Sequence, residues 1–194
     1  MASRIGVYGG TFDPPHLGHL AVAVEAAWAL RLDRLLLVVA GDPWQKSSST
    51  VVSPAVDRLA LAGAAVVGLE GLEVSDLEVL RSGPSYTIDT VEALTGDDRE
   101  LVVVVGADAA ATLPTWHRAT DLGAAVEVAV TARPGWEIPD LGPRWRTRRF
   151  DVPAFDLSST EIRRRVAEGR PVAHMVPPGV RAEIDRRGLY RSRR

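Results

Sequence analysis

The chain contains no cysteine. Thiol nucleophiles, thiolate zinc sites, iron–sulfur clusters and disulfide scaffolds are excluded with it, and the lack fits a reducing cytoplasm, the compartment expected here. Lysine is nearly as scarce: of 23 basic residues only Lys46 is a lysine. Neither sign of charge is in excess. The formal net charge is -2, so no global positive field recruits nucleic acid or an anionic membrane, and any anion must be held locally. Long apolar runs are missing too. The longest candidate, 59–69, lies between Arg58 and Glu70, far short of the ~20 residues a membrane helix needs. The N-terminal residues reach Gly9, Gly10 and Asp13 before any apolar segment develops, so no signal peptide is expected. What is present, 194 residues of which 46% are hydrophobic, predicts one domain that buries roughly 70% of its unfolded surface without a metal or a disulfide.

Short apolar runs alternate with helical spacing. Residues 5–8, 35–40, 101–105 and 126–131 are unbroken and rich in β-branched residues or leucine, as strands buried on both faces of a parallel sheet are. Helices are expected over 17–30, over 54–67 behind Ser53 and over 86–94 behind Ser85, each serine being a plausible cap. This order predicts an α/β fold: a doubly wound, mainly parallel sheet of Rossmann-like type. Residues 135–149 turn to Pro, Gly, Trp and Arg and read as an excursion. A short strand over 150–152 then leads to helices over 161–168 and 178–187, making a small helical C-terminal part of about 155–194. In such sheets ligands bind beyond the carboxyl ends of the strands. The loops there contain Gly9-Gly10-Thr11-Phe12-Asp13, then Pro43-Trp44-Gln45-Lys46, then Gly106-Ala107-Asp108, and finally Arg133.

His16-Leu17-Gly18-His19 sets two imidazoles three apart where a loop enters a helix. Both rings then project beside N–H groups that lack intrahelical partners, a place that already favours an anion. Gly18 and Gly9-Gly10 allow a phosphate close to the backbone. Two other roles suit a bare HxGH: two ligands of a metal site completed by Asp13, or one capping and one exposed histidine. Neither GxxxxGK[ST] nor GxGxxG occurs.

The string Gly-Gly-Thr-Phe-Asp-Pro-Pro-His-Leu-Gly-His resembles the signature of the (H/T)xGH nucleotidyltransferase superfamily, and His16 at its first variable position resembles the bacterial nicotinate-nucleotide adenylyltransferase branch. Ser158-Ser159-Thr160-Glu161-Ile162-Arg163 is similar to the second signature, (I/L)SSTxIR. Its local chemistry is that of a helix cap, with hydroxyls and a guanidinium suited to a polyphosphate. Ser85-Tyr86-Thr87-Ile88-Asp89-Thr90 resembles the SYTxDT segment. The loop ending at Lys46 departs from the commoner Pro-His by its Trp44-Gln45.

The resemblance implies AMP transfer from ATP to nicotinate mononucleotide, releasing pyrophosphate and forming deamido-NAD. His16, His19, Arg163 and Lys46 are the implied catalytic residues. ATP is expected against Gly9, Gly10, Thr11, Phe12, His16, Gly18, His19, Gly106, Asp108, Ser158, Ser159 and Arg163. Nicotinate mononucleotide is expected against Thr11, Lys46, Ser85, Tyr86, Thr87, Trp116, His117 and, more weakly, Arg133. Mg²⁺ is expected with the ATP phosphates and without a protein cage, and family resemblance suggests a homodimer. The rival enzymes prefer nicotinamide mononucleotide or another acceptor such as phosphopantetheine or a sugar phosphate. A rival of another class is a nucleotide sensor or RNA-binding module using Arg144, Arg146, Arg148, Arg149 and the C-terminal arginines, although most of these arginines have acidic neighbours or lie in a short tail.

Overall fold

The computed structural model describes residues 2–43, 52–132 and 140–191. Six parallel strands form one sheet in the order β3-β2-β1-β4-β5-β6. They are β1 (Ser3–Gly10), β2 (Arg34–Val39), β3 (Leu72–Ser75), β4 (Arg99–Gly106), β5 (Glu127–Ala132) and β6 (Arg146–Asp151). The helices are α1 (Leu17–Ala29), α2 (Ala55–Val66), α3 (Leu77–Leu80), α4 (Thr87–Leu94), α5 (Ala107–Ala110), α6 (Ala119–Ala125), α7 (Ser159–Ala167) and α8 (Pro178–Arg187). A 3₁₀ turn over Leu113–Thr115 precedes α6. No helix among the described residues is long and apolar enough to cross a membrane.

The middles of the central strands are largely apolar because both their faces are covered. On one side Ile5, Val7, Val103 and Val105 pack with Ile88, Val91 and Leu122; on the other Leu35, Leu37, Val102 and Val104 pack with Ala23, Ala26 and Leu30. A third core joins Leu61 and Ala65 of α2 to Ile162, Val180 and Ile184, and so fixes the C-terminal helices to the body of the sheet.

β1 pairs with β2 on one side and β4 on the other. The winding reverses between β1 and β4, so their carboxyl ends open a crevice where a ligand can enter.

Two edge elements differ from the sequence expectation. β3 has only four residues, LEVS, too short for its periodicity to register against the helical pattern before it. Residues 146–149 are strand rather than excursion: β6 runs Arg-Thr-Arg-Arg-Phe-Asp, and five of its six residues are exposed. An edge strand tolerates this polarity because one of its sides meets water, and its charges hinder pairing with a further strand. Arg148 pairs with Glu127 at 2.9 Å and Arg149 with Asp151 at 3.3 Å, which neutralises part of the Arg-rich run.

Candidate active site

The loop after β1 is built into the protein by groups distant in sequence. Its residue Asp13 is 4% exposed and accepts hydrogen bonds from the Tyr190 hydroxyl at 2.6 Å and the Ser53 N–H at 3.0 Å. Burial first, then the Asp13 charge, push the Tyr190 phenol well above its usual range, so it remains a donor. Both Asp13 carboxylate oxygens are thereby engaged by the scaffold. Among the described residues no three His, Cys, Asp or Glu side chains are grouped to hold a metal. Phe12, at φ 50 and 2% exposed, places its ring in the core, edge-on to the His19 ring at 5.2 Å. A Cβ on Gly10 would lie 2.7 Å from the Phe12 ring, which is why glycine stands there.

At the start of α1 the two histidines cap the helix reciprocally. His16 Nδ1 accepts the His19 N–H at 3.3 Å, and His19 Nδ1 accepts the His16 N–H at 3.2 Å. Their rings stack with centroids 3.7 Å apart. A nitrogen that accepts a backbone N–H carries no proton, so in each ring the proton sits on Nε2, on the side away from that backbone. The pair therefore offers Nε2–H donors at a helix N-terminus. The capping and anion-binding roles, separate possibilities in the sequence, coincide in the same rings. Gly18 is needed for this seat, since a Cβ there would come 3.1 Å from the His16 ring.

The second signature lies directly against the first. Ser159 Oγ donates to the Pro14 carbonyl at 2.8 Å, and Arg163 Nη1 donates to the Asp13 carbonyl at 2.8 Å. Ser158 caps α7 by accepting the Glu161 N–H at 3.2 Å. The serine hydroxyls thus secure the corner, leaving the helix N-terminus and Arg163 as the groups suited to a polyphosphate. Arg164 and Arg165 are tied to Glu161, and Arg164 also to Glu168. Hydrogen bonds from Arg164 and Arg165 hold the Glu161 carboxyl down at about 2.

Beyond β1 and β4 lies a cavity of about 140 Å³ bordered by Gly9, Gly10, Thr11, Ser85, Tyr86, Thr87, Trp116 and His117. Every residue expected to meet the mononucleotide borders it except Lys46 and Arg133, which, like Trp44 and Gln45, lie outside the described residues. Tyr86 stacks on His117 at 4.2 Å, and Trp116 Nε1 donates to Thr112 Oγ1 at 3.0 Å, which fixes the indole plane. Ser85 Oγ accepts the N–H of Gly41 at 2.9 Å and so ties the loop after β2 to the start of α4. Gly106 and Asp108 stand apart from this cavity at the end of β4 and the start of α5, and the Asp108 carboxylate folds back over Gly106.

The loop after β1 is thus bonded to the start of α7 beside an aromatic-walled cavity, and comparisons with known proteins bear on this arrangement. A family model described as Cytidylyltransferase-like matches residues 7–165. A Streptomyces coelicolor protein named "Probable nicotinate-nucleotide adenylyltransferase" is 42% identical over 186 residues, spanning 94% of this chain and 98% of that protein. The chain belongs to the nicotinate-nucleotide adenylyltransferase family. An Acidothermus cellulolyticus protein of the same name is 38% identical, over 97% of this chain and 95% of that one. The fold matches the Plasmodium falciparum nicotinic acid mononucleotide adenylyltransferase complexed with NaAD at a TM-score of 0.81, with 16% identity and 97% of each chain covered.

For a nicotinate-nucleotide adenylyltransferase, three site-building residues leave no trace in its motifs. Arg58 on α2 is 1% exposed and donates to the carbonyls of Ser53, Thr11 and Gly41 at 2.9, 3.0 and 3.1 Å. Tyr190 reaches the loop from beyond α8, and Glu78 on α3 lines the cavity. An arginine in VDRLA looks like any surface cation of a helix, and nothing local marks the tyrosine of GLY or the glutamate of DLE.

Proposed function

We propose that the chain transfers AMP from ATP to nicotinate mononucleotide, releasing pyrophosphate and forming deamido-NAD. The observation that carries this is the position of the Trp116–Tyr86 cavity beside Thr11, on the loop that runs into the His16–His19 pair. A mononucleotide with its pyridine ring in that cavity directs its phosphate toward the α-phosphorus of an ATP lying along the starts of α1 and α7. The attacking phosphate oxygen is already anionic, so no general base is required. Catalysis rests on positioning and on stabilising charge at the transferred phosphoryl group. His16 and His19 donate Nε2–H bonds to the α-phosphate, Arg163 and the α7 N-terminus hold the departing pyrophosphate, and Lys46 steadies the attacking phosphate.

Magnesium fits this scheme as a companion of the phosphates. Asp13 is occupied by Tyr190 and Ser53, so substrate oxygens and water would hold the ion, which would supply further charge neutralisation. We propose the cytoplasm, where ATP is supplied, as the site of the reaction, with small molecules rather than nucleic acid as substrates.

Pyrophosphate release measured with ATP, Mg²⁺ and each of nicotinate mononucleotide, nicotinamide mononucleotide and phosphopantetheine tests the proposal. The highest kcat/KM is expected for the nicotinate; a preference for phosphopantetheine, or no turnover with any acceptor, would refute it. Trp116→Ala is expected to raise the KM for the mononucleotide about tenfold, from the loss of about 1–2 kcal/mol of ring contact. A change confined to the KM for ATP would put the pyridine elsewhere.

A further inference from the structure

Glu78 is the only carboxylate among the described residues lining the cavity that Trp116 and Tyr86 share. It is 7% exposed. Its Oε1 accepts the hydroxyl of the fully buried Thr90 at 2.6 Å. Arg81 approaches that same hydroxyl at 3.5 Å, and no ion pair joins it to Glu78 among the described residues. The backbone here is tightly seated, since a Cβ on Gly41 would collide with the Glu78 carbonyl.

A carboxylate largely withdrawn from water, beside aromatic and apolar walls, is costly unless a cation faces it. The protein supplies the Thr90 hydroxyl directly and the Arg81 guanidinium only one hydrogen bond further away. The proposed acceptor supplies the rest: once ribose is attached to its nitrogen, a pyridine ring is a pyridinium with a formal positive charge. An aromatic wall that includes Trp116 favours a cation as well. The acceptor's own carboxylate is repelled by Glu78 and is directed toward the other end of the cavity.

We infer that Glu78 is a specificity-determining residue, its carboxylate acting as counter-charge to the quaternary ring nitrogen and selecting the oxidised, cationic ring over a neutral ring of the same shape. The inference rests on the proposed function. It also fixes a requirement on the preceding chemistry: the reaction that supplies the acceptor must deliver an N-glycosylated, aromatic pyridinium.

The test compares nicotinate mononucleotide with its 1,4-dihydro form, whose ring is neutral, by calorimetric titration of the full chain. The parent is expected to prefer the oxidised form by at least about tenfold, the effect of one close opposite charge in a secluded site. Glu78→Gln keeps an acceptor for Thr90 but removes the charge, and is expected to bring the two forms within about twofold, with the KM for ATP unchanged. Thr90→Val, which breaks the supporting hydrogen bond and keeps the charge, is expected to retain the preference. Equal binding of both forms by the parent, an intact preference in Glu78→Gln, or the same loss in Thr90→Val would each overturn the inference while adenylylation of nicotinate mononucleotide still stood. A parent chain that neither binds nor adenylylates that mononucleotide would refute the proposed function and this inference together.

Discussion

Replacing His19 with glutamine is expected to lower the turnover number by about 10²-fold or more, equivalent to about 2.7 kcal/mol of transition-state stabilisation, with little change in the melting temperature. The separation of the two effects comes from the cap. His19 occupies the third position of α1, and its Nδ1 accepts the His16 N–H. Glutamine at that position can make the same bond through its Oε1, as it does in ordinary capping boxes, but its amide N–H sits on a flexible stem and is not held in place as the stacked imidazole holds its own Nε2–H. His19→Ala loses both, so it should add a stability cost of about 1 kcal/mol, roughly 2–4 °C for a chain of this size. Initial rates at saturating ATP and mononucleotide, with thermal melts of the same samples, check both statements. Near-normal turnover in His19→Gln would leave the ring a capping role alone.

Arg58→Met is expected to destabilise the fold by about 3–5 kcal/mol, or roughly 10 °C in melting temperature. Methionine replaces the length of the side chain but none of its donors. The carbonyls of Ser53, Thr11 and Gly41 lose their guanidinium partner, and the Asp13 charge loses a cation that interacts with it. Burial pulls the Arg58 guanidinium down from its usual value, and the Asp13 charge opposes that fall. Two of the three carbonyls belong to the loops after β1 and β2, which border the cavity, so turnover should fall beyond what the unfolded fraction explains. Arg58→Lys should recover only part of the loss, because a point ammonium cannot span three carbonyls as a planar fork does. Stability within about 1 kcal/mol of the parent in Arg58→Met would mean that water satisfies those carbonyls.

The parts of the site that were legible share a property: their chemistry is local. A capping histidine pair, a serine before Glu161 and an SYT before a helix each announce a helix start within a few residues. Each also follows, or is brought to, the end of an apolar strand that periodicity exposes. The illegible parts are the edges and the supports. β3 and β6 were missed or shortened because a four-residue strand and an arginine-rich edge lack the apolar run that marks a central strand.

From the sequence alone followed the alternation of strand and helix, the strand ends as the place for a ligand, and the resemblance that names the two phosphate-facing signatures. Tertiary structure alone decided that both imidazoles are caps, that the hydroxyl of Ser159 holds a carbonyl, and that Asp13 belongs to the scaffold. It also brought Tyr190 to a carboxylate 177 positions away and Glu78 into the aromatic cavity. The reason is one of range. Hydrophobic period and helix capping are settled between near neighbours in the chain, whereas the partner of a buried polar group is whichever residue the crossovers and the packing of α2 and α8 carry to it.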